Sequence, residues 1–134
     1  MSVKTKPPLT RETAEREIKR PPFGAPQVMV LAVVEGNDNS AVYRINQAQT
    51  VIGRGDEADL SVLDDEVSKR HCAIRVEGTV VSLVDLGSLN GTLINGRPMR
   101  AEIVQRLRHL DEVRIGDTRM LFLSGRFKDP PRRV

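Results

Sequence analysis

Apolar, β-branched positions recur along residues 27–125 in short runs: VMVLAVVE, AVYRI, TVIGR, LSVLD, HCAIRVE, TVVSLVDL, GTLI, EVRIG and TRMLFLS. Turn-forming clusters punctuate them, namely GNDNS, GDEAD, EG, GSLNG, NGRP and IGDT. Short strands at such close spacing predict an all-β sandwich or barrel. Within HCAIRV the alternation places Cys72, Ile74 and Val76 on one face and His71, Ala73 and Arg75 on the other, the pattern of a sheet with one buried side. The run RAEIVQRLRHLDE is compatible with a helix, and equally with a strand leading into LDEVRIG. No internal repeat is visible.

The pattern stops at both ends. Residues 1–26 hold five of the eight prolines, many charges and almost no apolar periodicity, which predicts a disordered tail. TRETAEREIKR within it could form a short helix with Thr10 or Thr13 near its N-cap, but has too little apolar surface to dock. Residues 126–134, again Pro-rich and charged, are expected to be a linker or a terminal extension, suited to joining the domain to an effector in a longer protein. The domain itself is expected at 27–125.

Composition narrows the classes. Aromatic residues make up 3% of the chain and Trp is absent, so the core must be built from Val, Ile and Leu. The formal net charge of +3 is a mild basic excess, short of a dense nucleic-acid stripe. Arg97, Arg100, Arg106, Arg108, Arg114 and Arg119 are spread over several elements with no interleaved aromatics for base stacking, so no nucleic-acid partner is expected. One cysteine, Cys72, excludes an intramolecular disulfide and a cysteine zinc cluster. No apolar stretch is long enough to span a bilayer, and the charged N-terminus is unlike a secretory signal. A soluble, cytoplasmic protein without membrane partner, metal or cofactor is expected.

Three loops abutting strands carry the chemistry: VIGRGDEADL, with Gly53 and Arg54; DDEVSKRHCAI, with Ser68, Lys69 and His71; and VDLGSLNGTLING, with Ser88, Asn90, Gly91, Thr92, Asn95 and Gly96. Each has an ordinary reading, since Gly-Arg ends many strands and Asn-Gly is a common hairpin signal. Ser68 and His71 could be an anion-binding loop, a polar turn or a catalytic pair. Against the last, no acidic partner or nucleophile elbow is evident.

Taken in order and spacing, Gly53-Arg54, Ser68-Lys69-Arg70-His71 and Asn90-Gly91-Thr92, with DLGS, ING and DEVRIGDTRMLFL around them, resemble the forkhead-associated (FHA) domain over roughly residues 28–124. The resemblance implies a β-sandwich of about eleven strands with the three loops at one end, and recognition of phosphothreonine written by a Ser/Thr protein kinase. It implies that Arg54, Ser68 and Lys69 contact the phosphate. Asn90 would hold the peptide main chain, while Gly53, His71, Gly91 and Thr92 would structure the loops, His71 as a brace without ligand contact. The residue types suit such a ligand, because a phosphate of nearly two negative charges needs fixed donors and an Arg fork meets it bidentately. Leu89 stands where the family often has Ser or Thr, leaving its backbone N–H as a contact. Family members also read the third residue after the phosphothreonine through the loop before the Ser, so Asp64, Asp65 and above all Glu66 are expected to form an acidic rim that favours Arg or Lys there.

The tail adds an expectation of its own. Thr5, Thr10 and Thr13 are candidate phosphorylation sites, and the third residue after Thr13 is Arg16. A flexible segment from Thr13 to Gln27 spans roughly 20 Å, enough to curl onto a loop patch. A phosphorylated tail threonine is therefore expected as a ligand in cis or in a neighbouring chain, beside other phosphothreonine proteins. The remaining alternative is an FHA-like scaffold binding proteins without phosphate.

Overall fold

A computed structural model of the chain describes residues 27–126. A compact unit spans Val28–Ser124. The second unit, Met1–Gln27 with Gly125–Val134, falls almost wholly outside the described residues. Thr5, Thr10 and Thr13, with the tail and the terminal extension, lie there too.

The apolar runs form strands nearly where the alternation puts them: β1 Gln27–Glu35, β2 Val42–Arg44, β3 Gln49–Gly53, β4 Leu60–Ser61, β5 Cys72–Glu77, β6 Val80–Asp85, β7 Thr92–Ile94, β8 Arg97–Pro98, β9 Gln105–Arg106, β10 Glu112–Ile115 and β11 Thr118–Arg126. They assemble into a six-stranded sheet, β2-β1-β11-β10-β7-β8, and a five-stranded sheet, β4-β3-β5-β6-β9. The expected β-sandwich of about eleven strands is the fold observed. The run at 100–112 is no helix: it holds turns and the two-residue strand β9, which pairs with β6 at Ser82↔Arg106 and Leu83↔Gln105.

Leu31, Ile52, Ile74, Leu83, Ile115, Met120 and Phe122, all fully or almost fully buried, fill the core together with Cys72. Complete burial of such a side chain stabilises by about 1.5–3 kcal/mol. The alternation in β5 is only half as simple as the sequence suggests. Ala73, expected on the outer face, is buried as well. The register sets it opposite Val51 on β3 and Val84 on β6, and these three form a second, smaller cluster flanked by Ala58 and Leu86. Cross-strand neighbours thus cover part of a face that should have been open.

Topology brings the three loops together. β5 runs antiparallel to both β3 and β6 and lies between them. The ends of β3 and β6 therefore flank the start of β5, and the segments after Gly53, before Cys72 and after Asp85 emerge at one end of the sheet.

Candidate functional site

Gly53 ends β3 under a tight constraint. A Cβ built there would lie 2.0 Å from the Lys69 carbonyl oxygen and 2.9 Å from that of Ser68, so only glycine lets the two loops close. The next residue is tied to the same segment. The Arg54 main-chain N–H donates to Ser68 O at 3.0 Å, and its Nε–H donates to Val67 O at 3.0 Å. One edge of the guanidinium is thereby fixed. Its terminal N–H groups have no partner among the described residues, and the side chain is exposed. A depression of about 310 Å³, lined also by Asn37, Leu63 and Asp65, adjoins it.

Ser68 faces the third loop. Its Oγ accepts a hydrogen bond from the Leu89 N–H at 3.0 Å, so the hydroxyl proton remains available for a further acceptor. The Leu89 N–H, expected to be open to a ligand, is therefore engaged by Ser68, and the Leu89 side chain is 88% exposed. Lys69 is exposed, with no hydrogen bond or ion pair among the described residues.

His71 joins all this from beneath. It is fully buried, its Nδ1 lies 3.0 Å from the Ser68 main-chain N and its Nε2 lies 2.8 Å from Gly91 O. An amide N–H can only donate and a carbonyl only accept, so Nδ1 must be bare and Nε2 must carry the proton. The ring is neutral. Burial pulls its pKa below the ordinary 6.5, against the opposing pull of the Gly91 carbonyl and the charges of Asp85 and Asp64. Both ring nitrogens are committed to backbone groups, and it is the Ser68 amide, not its hydroxyl, that meets the imidazole. No base is left to activate the hydroxyl, so the catalytic-pair reading fails on geometry.

The third loop is organised by a residue to which the sequence reading gave no role. Asp85, buried at the end of β6, accepts from the N–H groups of Gly87 and Ser88 through Oδ1 and from the hydroxyls of Ser88 and Thr92 through Oδ2, at 2.6–2.9 Å. Burial alone would raise its pKa, but these four donors outweigh it and hold the carboxyl below its usual value. Ser88 Oγ in turn accepts from the Gly91 N–H at 2.9 Å, and Gly91 takes φ +86°, a conformation that favours glycine. The Asp-x-Gly-Ser spacing is an Asx-turn signal that could have revealed Asp85. Asn95, from the same stretch, bonds Asp111 and the Glu112 N–H away from these loops.

Asn90 projects from this loop and is not free. Its Nδ2 donates to Glu66 O at 2.9 Å and lies 3.2 Å from Glu66 Oε1. The acidic rim is smaller than expected. Asp64 is buried and accepts from the Glu66 N–H, the Asp117 N–H and the Thr118 hydroxyl at 2.8–2.9 Å, so it anchors the loop from inside. Asp65 and Glu66 alone of the three are exposed. Among the described residues no group of His, Cys, Asp or Glu is arranged to hold a metal ion, and no helix is long and apolar enough to cross a membrane.

Two packed sheets with hydrogen-bonded loops gathered at one end define the class, and comparison with known proteins gives the family. The family model for the cytoplasmic domain of the inner membrane component of T3SS, an FHA-like domain, matches residues 32–125. A solved structure from work on phosphothreonine-dependent FHA domain interactions superposes with a TM-score of 0.65 at 31% identity, over 72% of this chain and 95% of that one. The chain belongs to the forkhead-associated family. It is 38% identical over 96 residues to the oxoglutarate dehydrogenase inhibitor of Corynebacterium glutamicum, a match covering 72% of this chain and 65% of the relative. It is 38% identical over 103 residues to the glycogen accumulation regulator GarA of Mycolicibacterium smegmatis, covering 76% and 63%. The match therefore spans a little under two thirds of those relatives' length.

Proposed function

We propose that this domain binds phosphothreonine in an extended protein segment, as a signalling module downstream of a Ser/Thr protein kinase in the cytoplasm. The observation that carries the reading is the pairing of Arg54 with Ser68. The Arg54 terminal N–H groups are open while its Nε is held by Val67, and the Ser68 hydroxyl accepts from the Leu89 N–H, which leaves its own proton available for an incoming oxygen. Fixed donors of this kind suit a phosphate, and charge-assisted bonds contribute about 1.5–3 kcal/mol each. Lys69 adds a mobile positive charge, and Asn90 Oδ1 is an acceptor for a ligand backbone N–H. The family's solved member, studied for phosphothreonine-dependent interactions, supports the same chemistry.

The relatives' names, an inhibitor of oxoglutarate dehydrogenase and a regulator of glycogen accumulation, make a metabolic enzyme the class of partner to test first. A threonine of the chain's own N-terminal segment is the second ligand in this reading. Thr13, followed at the third position by Arg16, would set a cation near exposed Asp65 and Glu66. Phosphorylated Thr13, or failing it Thr10 or Thr5, then competes with outside partners.

Titration of the full chain with matched phosphorylated and unphosphorylated peptides around Thr10 and Thr13 tests this, followed by a degenerate phosphothreonine library. Phosphate-dependent binding at micromolar affinity or better, lost in Arg54→Ala, is expected. Silence toward both tail peptides removes the self-ligand. Silence toward the library as well removes phosphothreonine recognition and leaves a phosphate-independent scaffold.

A further inference from the structure

A primary amide offers two N–H donors and one carbonyl acceptor. In Asn90 the amide nitrogen lies 2.9 Å from the Glu66 main-chain oxygen and 3.2 Å from its carboxylate, so its two N–H groups have these two acceptors before them. Only Oδ1 is left. An extended peptide presents N–H and C=O groups, and the amide can hold both only if it recovers a donor. The bond to the Glu66 main chain joins two loops that are otherwise braced by His71 and by the Ser68–Leu89 contact. The bond to the carboxylate is different: it is the longer of the two, and it belongs to an exposed side chain on rotatable single bonds.

We infer that Glu66 is a latch on the Asn90 amide, whose carboxylate competes with the ligand's backbone carbonyl until a basic ligand side chain draws it away. This rests on the phosphothreonine reading and deepens it. A Lys or Arg within reach of Glu66 offers the carboxylate a charged partner in place of a neutral amide, and the released N–H then takes the ligand carbonyl. Preference for a basic residue and grip on the main chain become one coupled event, so the effect of Glu66 should depend on the presence of Asn90. Simple repulsion between Glu66 and the phosphate would instead act whatever stands at position 90.

The test uses the full chain as wild type, Glu66→Ala, Glu66→Gln, Asn90→Ala and the Glu66→Ala/Asn90→Ala double variant. Binding is measured to phosphothreonine peptide pools with Arg or Ala fixed in turn at each flanking position, and to their unphosphorylated counterparts. Glutamine can still accept from Asn90 but carries no charge, so Glu66→Gln keeps a weaker latch and removes the repulsion. Wild type is expected to prefer Arg over Ala at one position, and Glu66→Ala to erase that preference. Glu66→Ala should bind the Ala-fixed pools about three- to tenfold more tightly, the gain of one exchanged hydrogen bond. Glu66→Gln should gain clearly less than Glu66→Ala on those pools, and the gain should vanish in the Asn90→Ala background. Equal tightening by Glu66→Ala and Glu66→Gln, or a gain that survives without Asn90, overturns the latch while leaving phosphothreonine binding intact. Absence of phosphate-dependent binding in wild type itself overturns both.

Discussion

Replacing His71 by Ala removes a side chain that bonds the second and third loops at once. The ring is fully buried, and its loss strands the Ser68 N–H and the Gly91 carbonyl, which it holds at 3.0 and 2.8 Å. A buried donor or acceptor left unpaired costs about 1–3 kcal/mol, and the vacated volume adds a cavity cost. The sum is about 3–5 kcal/mol, a large part of the roughly 5–15 kcal/mol that holds an ordinary domain folded. With a urea slope of about 1–3 kcal/mol per molar, the unfolding midpoint should fall by roughly 2 M while the slope stays unchanged. Acid supplies a second readout. The folded protein keeps this ring neutral with its pKa depressed below 6.5, so in acid the unfolded chain binds the proton more readily. The contribution is complete above pH 6.5 and is lost as pH falls through the folded value. In His71→Ala that part of the pH dependence should be missing. A midpoint shift below about 0.5 M, or an unaltered stability profile between pH 7 and 5, would refute the brace.

Three further changes probe the loops. Gly53→Ala places a Cβ against the Lys69 carbonyl and should cost about 1–3 kcal/mol or more, read as a drop of roughly 10 °C in the thermal midpoint. Asp85→Asn converts an acceptor of four hydrogen bonds into a mixed group and should cost about 2 kcal/mol at neutral pH by urea denaturation. Its acid limb should also flatten: the Asp85 pKa is depressed from 3.8, so its stabilisation is present above that value and lost as pH falls through the folded one. Arg54→Lys surrenders the fork and the bond to Val67, and should weaken phosphopeptide binding at least tenfold by titration while changing stability by less than about 1 kcal/mol.

The strands were legible because their signals are local. Alternation and turn residues locate β3, β5, β6, β10 and β11 to within a residue or two. β8 escaped, and β9 was left open between helix and strand, because two exposed residues held only by an edge pairing leave no periodicity to read. The three loops were legible through the resemblance, but the work of individual side chains was not always so. Asp64 looks like a surface acid because its neighbours in sequence are acidic, yet what buries it is Asp117 and Thr118, which lie 53 and 54 residues away. The need for glycine at position 53 likewise comes from the backbone of residues 68–69. Even the Glu66–Asn90 bond joins residues 24 apart. What depends on tertiary approach has no local trace.

The buried thiol of Cys72 turns the sandwich into its own folding gauge. It is the chain's single cysteine, fully enclosed. Burial, then the nearby charge of Asp85, pushes its pKa well above the ordinary range, against a smaller opposite pull from the Thr92 hydroxyl. Alkylating reagents attack thiolate, so at neutral pH they register almost exclusively the moments when the sheets part. Where reclosing outpaces alkylation, the labelling rate of the unaltered protein divided by that of the denatured chain gives the population of the opened state. Because Cys72 directly follows His71, the same clock should quicken when the brace between the loops is cut.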